Sequence, residues 1–479
     1  MMRNTVPLRA QHHRPAAHQR GAAALVVVML LFFLISLAAA YTSRNLIFEQ
    51  RTAANQYRST QALEAAEAGV EWALAQLNGG LINESCTATT TSTDQSFRQR
   101  YLDVDSTNGN ITPRVASLPG SVEPMCGLDT SSTAANWRWS CSCPPINAAL
   151  ATAFAPPVGP AFTVQLVPAA TGAVVRPDLI QLEVNSCTRF SIADCVNFNF
   201  DRGGTGDGVA TVRVMLALRG SLSRLPAAAL TVAGTLAAPP SSVLLTLRNE
   251  SVASNGITLH TAGSWPAIFP VSGLALLGLP GVAPARTVVT LDPTLSPAAQ
   301  PGFIPLIGSP VPTVSPSQTP FSAQDLRFAS FFGMRPDTYR RQPGLPVLDC
   351  SSGCTAADIN TAIARNPGRP IWLSGNGTVT IDANVPATAG TSAMLIVEGN
   401  MAFAGGSTLR GLLYNRGANT QWSLSGSSTI VGAAVIEGNL SASGASAAAT
   451  VIYDRAALLA LRAGTGTFVR VPGSWKDFL

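Results

Sequence analysis

Two glutamates, Glu398 and Glu437, stand at equivalent points of an internal repeat, and clustered carboxylates are what polysaccharide-cleaving β-solenoid enzymes need. Each precedes Gly-Asn, so the preferred reading is a carboxylate at a repeat corner rather than an acid and base pair. Beyond Gly21 the chain has one histidine, His260, and any Ser-His-Asp or Cys-His scheme would rest on it. It lies in the alternating run ITLHT, as a strand residue. No GxSxG, HExxH or Walker string is present. DVDSTNGN supplies Asp103 and Asp105 but has Asn108 where a calcium loop requires glycine, and Asp201 and Asp207 of DRGGTGDG read as turn carboxylates. The sequence therefore predicts no catalytic residue, no metal and no cofactor. Its eight cysteines are Cys86, Cys126, Cys141, Cys143, Cys187, Cys195, Cys350 and Cys354. All lie beyond an apolar N-terminal segment and none forms a Cys-x2-Cys pair, which favours disulfides over zinc. Local spacing pairs Cys187 with Cys195 and Cys350 with Cys354; the first four remain unassigned.

The elements that carry these residues begin with a membrane segment. Ala22 to Ala40 reads AAALVVVMLLFFLISLAAA, a run without a charge, long enough to span most of a bilayer core of about 30 Å. Four of the 31 basic residues (Arg3, Arg9, Arg14 and Arg20) precede it with no acid among them, which keeps the N-terminus cytoplasmic and sends the rest across. The other 27 face 26 acids, so the exported part is nearly neutral and lacks the basic surface that nucleic acid requires. A cleaved signal peptide has the same charge order, but the apolar run exceeds the usual h-region and helical patterning continues past its end. No proline follows until well after Gly79-Gly80, and Gly69 is the single interior glycine. Leu63, Ala66, Val70, Ala73, Leu74 and Leu77 form an apolar stripe opposite Glu64, Glu67 and Glu71. One helix of about 85 Å is expected over 22–78, half in lipid and half on a soluble domain.

QRG followed by that apolar run and by EQRTAANQYRSTQALEAAEAGVEWAL resembles the N-terminal region of PilX-type minor pilins of type IV pili over residues 19 to 78. The resemblance implies cleavage after Gly21 by a prepilin peptidase, with Ala22 as the N-methylated first mature residue. It implies an assembly helix including Ala22, Leu25, Val26, Leu30, Phe33 and Leu37. Other minor pilins, the major pilin and the inner-membrane assembly platform are the implied partners, a host or surface ligand is a further one, and nucleic acid is not expected. The fifth mature residue of major pilins is Glu, whose carboxylate meets the N-terminal amine of the subunit above. Here that position is Val26, which suits a subunit with nothing above it. The implied location is the inner membrane with a periplasmic C-terminal part, then the pilus tip.

The predicted fold is α+β: a long N-terminal membrane-spanning helix packed on a pilin-like antiparallel sheet, followed by a C-terminal β-solenoid-like all-β domain. Alternation in Phe162 to Val167, Leu179 to Val184 and Val209 to Leu218 predicts the sheet. Leu395 to Arg416 aligns without gaps on Ala434 to Arg455. That repeat predicts stacked coils, with a β-sandwich as the alternative. Ala229 to Leu236 and Gly256 to Gly263 read as the first coils. The expected divisions are a leader at 1–21, the helix at 22–80, a pilin-like β domain at 81–225, first solenoid strands at 226–262, a Pro-rich connection with short helices at 263–345, and the repeat domain at 346–479. Ser322 with Asp325 and Thr355 with Asp358 are read as helix caps. A membrane-anchored carbohydrate-active solenoid and a type II secretion pseudopilin are the competing functions.

Overall fold

The computed structural model describes residues 19–114, 123–130, 133–146, 159–171, 174–188, 208–261, 272–290 and 323–477. Helix α1 runs unbroken from Gln19 to Leu77. Its upper end packs through the predicted stripe: Ala66, Val70, Ala73 and Leu77 are buried, joined by Ala62 and Ala65, while Leu63 and Leu74 are half-buried. The lone glycine has a reason. A Cβ on Gly69 would stand 2.6 Å from Val184 and 2.8 Å from the Phe162 ring, so helix and sheet approach here too closely for a side chain.

The sheet under the helix has six antiparallel strands in the order Gly466–Arg470, Val209–Gly220, Val174–Cys187, Ala161–Thr171, Met125–Asp129, Arg138–Ser142. Alternation decides which side chains meet the helix. Ile180, Leu182, Val184, Val212, Val214 and Leu216 are buried in one cluster with Phe162, Phe97 and the α1 stripe. Gln181, Glu183 and Arg213 point to the other face, where Arg213 and Glu183 pair at 2.8 Å.

The edge strand Gly466–Arg470 corrects the reading of 346–479 as one repeat domain. Gly466 pairs with Gly220 and Arg470 with Leu216, so the chain from 221 to 465 leaves and re-enters the sheet at neighbouring points of one hairpin. The solenoid is an insertion in the head rather than an appendage after it. GTFVR is too short to announce its partner, but Phe468 alternates into the head core.

The insertion is a parallel β-solenoid. One face stacks Val347–Asp349, Ile371–Ser374, Ala393–Val397, Thr408–Asn415, Ser427–Ile436, Ala447–Tyr453, Val243–Arg248 and Leu274–Leu277, in that spatial order. Eight strands about 4.8 Å apart make a stack of about 34 Å. The internal repeat is two coils long: Ala393 lies beside Gly411, and Gly411 beside Gly432, so one copy of the repeat winds twice around the stack.

Coil order differs from sequence order, which corrects the expectation that 229–236 and 256–263 come first in the stack. Leu230 lies beside Ala434, Leu236 beside Leu440 and Val243 beside Ala447, the same offset held around one whole coil. The early segment continues the late one in register, beyond its last coil. Two strands, Leu274–Leu277 and Val288–Thr290, extend the stack within the stretch expected to be only a Pro-rich connection. Parallel stacking matches side chains and not chain order, so either arrangement buries the same kind of apolar column. The prolines from 293 to 320 and Ser322 lie outside the described residues. Thr355 and Asp358 form a reciprocal capping box on Ala356–Arg365. The helix Ala323–Phe332 packs Phe328 and Phe332 against Tyr339, Trp372 and Tyr414.

Candidate functional site

The free part of α1 is the first candidate. Every described side chain from Ala24 to Thr60 is exposed, including Leu25, Leu30, Phe33 and Leu37, and Val26 is 55% exposed. Burial of such side chains is worth about 1.5–3 kcal/mol each, so a surface of this size in water is untenable and a lipid or protein surround is required. This helix is long and apolar enough to cross a membrane. Gly21 and Ala22 fall within α1. Beyond the apolar run, the hydroxyls of Thr42, Thr52 and Thr60 donate to carbonyls one turn back, a backbone bond that lets an exposed polar side chain stay in a helix.

At the upper end of α1 the helix, the sheet and the solenoid meet around two buried guanidiniums. Arg369 Nη1 donates to Gly466 O at 2.7 Å and Thr467 Oγ1 at 3.0 Å, and its Nη2 donates to Asn78 O and to Pro343 O. Arg98 Nη2 donates to Gly464 O at 2.6 Å, and its Nη1 reaches Gly368 O and Gly466 O at 3.4 Å. The Asn78 amide closes the junction, donating to Phe468 O at 2.9 Å and accepting from Phe468 N at 2.8 Å. Burial, with the neighbouring cation Arg369 second, lowers Arg98 to about 10; burial lowers Arg369 to about 10. Both stay charged at neutral pH, held by carbonyl oxygens. Sequence reading missed this junction, because an arginine satisfied by main-chain acceptors carries no motif.

The residues singled out for chemistry do not converge. Glu398 accepts from Trp372 Nε1 and Gly375 N, both at 3.0 Å, as a corner tie between coils. Glu437 is fully buried, accepts from Tyr414 Oη at 2.9 Å and pairs with Arg416 at 3.4 Å. Burial pushes it up to about 7 against the pull of Arg416. No substrate reaches a carboxylate with 0% side-chain exposure. His260 is buried in its strand, and burial lowers it to about 4. Asp105 accepts from Thr107 N and Oγ1 in its own turn. Asp201 and Asp207 lie outside the described residues. Cys86 is bonded to Cys143, Cys126 to Cys141 and Cys350 to Cys354; Cys187 is also in a disulfide, and Cys195 lies outside the described residues. Among the described residues no cluster of three or more His, Cys, Asp or Glu could hold a metal.

A bare apolar helix topped by an antiparallel head is the arrangement that the PilX-type resemblance implied. Residues 20–71 match the family model described as PilX N-terminal, so this segment is PilX-like. Comparison with curated proteins gives no match. Among solved structures, the crystal structure of competence-associated pilin ComZ from Thermus thermophilus is 14% identical, with 88% of this chain and 97% of that chain covered. The TM-score is 0.18, too low to support any statement about this chain.

Proposed function

We propose that this chain is a non-enzymatic minor pilin that primes or caps type IV pilus assembly, sitting at the filament tip. The carrying observation is Val26 on the exposed apolar helix. A subunit joining from below would normally present a carboxylate at this position to the amine above, and an amine left unpaired in an apolar bundle costs on the order of a few kcal/mol. A chain with valine there is a poor addition to a growing filament and an acceptable first member. The inserted solenoid supports the same reading, since a body of this size finds free space only where nothing is stacked above.

Processing after Gly21, with methylation of Ala22, belongs to this proposal, as do the assembly platform and the other pilins as partners. A surface-binding role would fall to the solenoid. Burial of Glu437 removes the support that two repeat-corner carboxylates gave to a carbohydrate-active enzyme. Immunogold labelling of native filaments tests tip placement: one gold cluster at a filament end is expected, and label spaced along shafts refutes it. Gly21→Arg is expected to leave an unprocessed, longer chain in the inner membrane, read by N-terminal sequencing.

A further inference from the structure

Head and solenoid do not close on each other everywhere. Next to the Arg98 junction they leave an open cleft of about 540 Å³. The head contributes Gln99 and Ser106 to its lining. The solenoid contributes Ile363 and Ala364 of the helix Ala356–Arg365, the loop 386–392, and Ala460 and Leu461 of the helix Arg455–Gly464. Gly368 and Gly464 also line it, and their carbonyls hold Arg98, so the bonds that join the two bodies also fix this part of the lining. The loop is tied down as well. Asn360 Nδ2 donates to Asn384 O at 2.8 Å, Asn360 Oδ1 accepts from Ala387 N at 2.9 Å, and Thr391 Oγ1 donates to Thr388 O at 2.7 Å. The cleft is therefore formed before anything enters it.

Its chemistry narrows what could enter. Among the described residues no charged and no aromatic side chain lines it. A phosphate, a carboxylate or a metal ion would meet no counter-charge there. An acyl chain would need a long apolar wall, and Ile363 and Leu461 are the only large aliphatic side chains in the lining. A folded partner needs about 800 Å² of surface on each side, whereas this space falls in the range of about 300–1,000 Å³ that small molecules occupy. What the cleft does offer is the hydroxyls of Ser106, Thr388 and Ser392 and the amide of exposed Gln99. Gln99 accepts through Oε1 from Ser96 N at 3.1 Å and Ser96 Oγ at 3.3 Å, which leaves its Nε2 as a donor.

We infer that this cleft binds an uncharged sugar unit of a surface glycan. Gln99 Nε2 and the three hydroxyls bond the hydroxyl groups of the sugar, and Ile363 and Leu461 contact its C–H groups. The sugar touches both bodies at once. The inference deepens the surface-binding role proposed above and rests on that reading for the use of the site, but the binding itself rests on the cleft alone.

The test is saturation-transfer NMR on the full chain in micelles whose detergent has no sugar headgroup. The probes are lactose, cellobiose, maltose and N,N′-diacetylchitobiose, each up to about 10 mM, which covers the weak end of measurable affinity. At least one is expected to bind, and hydrogen exchange in its presence should slow both at 99–106 and at 386–392. Ala364→Trp fills the cleft from an exposed position and should weaken binding by about tenfold or more, whereas Ala357→Trp, exposed on the same helix outside the lining, should not. Gln99→Glu keeps the acceptor for Ser96 and removes the donor, and should weaken binding about fivefold. Binding of none of the four, a preference for glucose 6-phosphate over all of them, or equal loss in Ala364→Trp and Ala357→Trp overturns the inference; so does unchanged affinity in Ala364→Trp. The pilin reading is decided apart from this: gold at filament ends with no sugar bound removes the ligand and keeps the tip, and sugar bound by a chain that labels shafts does the reverse.

Discussion

The head and the solenoid bury their apolar side chains by different routes. The head core is assembled from parts far apart in sequence: a stripe at 62–77, strands from 125 to 220, and Phe468 from the far end. The solenoid core is made of neighbours, each coil resting on the next one along the chain, as Trp372 rests on Val347 and Gly411 on Ala393. The exception is the seam, where Leu230 rests on Ala434. The two cores are separate clusters, and buried ionisable groups, which an apolar interior resists, lie beside both. In the head these are the arginines at its junction with the solenoid, satisfied by carbonyls; in the solenoid it is Glu437. A distributed core depends on each contributor, whereas a stacked one loses a local contact and keeps the rest.

The sharpest way to break that contrast is a charge under the helix. Val70→Asp places a carboxylate in the apolar head cluster, and is expected to destabilise the head by about 4 kcal/mol or more. Phe48→Asp, on the same helix where α1 is bare, is expected to leave head stability within about 0.5 kcal/mol. Denaturant unfolding of the full chain in detergent, read through head and solenoid fluorescence, checks both. A loss confined to the head means that the two cores unfold separately.

Glu437 tests the solenoid through pH. Its folded value, about 7, lies above the ordinary 4.5, so the folded state holds the proton more tightly than the unfolded state does. The stabilisation is complete below about pH 4.5 and is lost as pH rises through about 7, a total of about 3 kcal/mol. Glu437→Gln cannot ionise and keeps an acceptor for Tyr414. It is expected to flatten solenoid stability between pH 5 and 8, with its largest gain over the native chain at the alkaline end, in thermal melts across that range.

How much of this was legible follows from the kind of signal each part leaves. Ile180, Leu182 and Val184 alternate, so the sheet could be read; the stripe from Ala66 to Leu77 told which face of α1 it needs. The internal repeat disclosed coils, but nothing in Leu230 or Val243 says that they stack on Ala434 and Ala447, because a parallel column accepts any coil of matching shape. For the site, the apolar run and Val26 were plain from composition and position. The junction was not, since Arg98 and Arg369 read as surface residues until their carbonyl partners are in place.

A small effect is expected at the upper end of α1, where the helix meets the returning edge strand. Glu71 pairs with Arg470 across the helix and the returning edge strand, with 60% and 42% of the two side chains exposed. Water screens such a pair, and two long side chains lose freedom to form it, so Glu71→Gln is expected to change stability by less than about 1 kcal/mol. The edge strand does not depend on the pair: it is held by the backbone ladder from Gly466 to Arg470, by Phe468 in the core, and by the Asn78 amide on both main-chain groups of Phe468. Asn78→Ala removes that two-sided tie and leaves buried main-chain groups without their partner, which costs about 1–3 kcal/mol. Hydrogen exchange at Phe468 separates the cases: protection should persist in Glu71→Gln and fall in Asn78→Ala. The reverse order would mean that the surface pair, and not the buried amide, keeps the chain's return strand in the head.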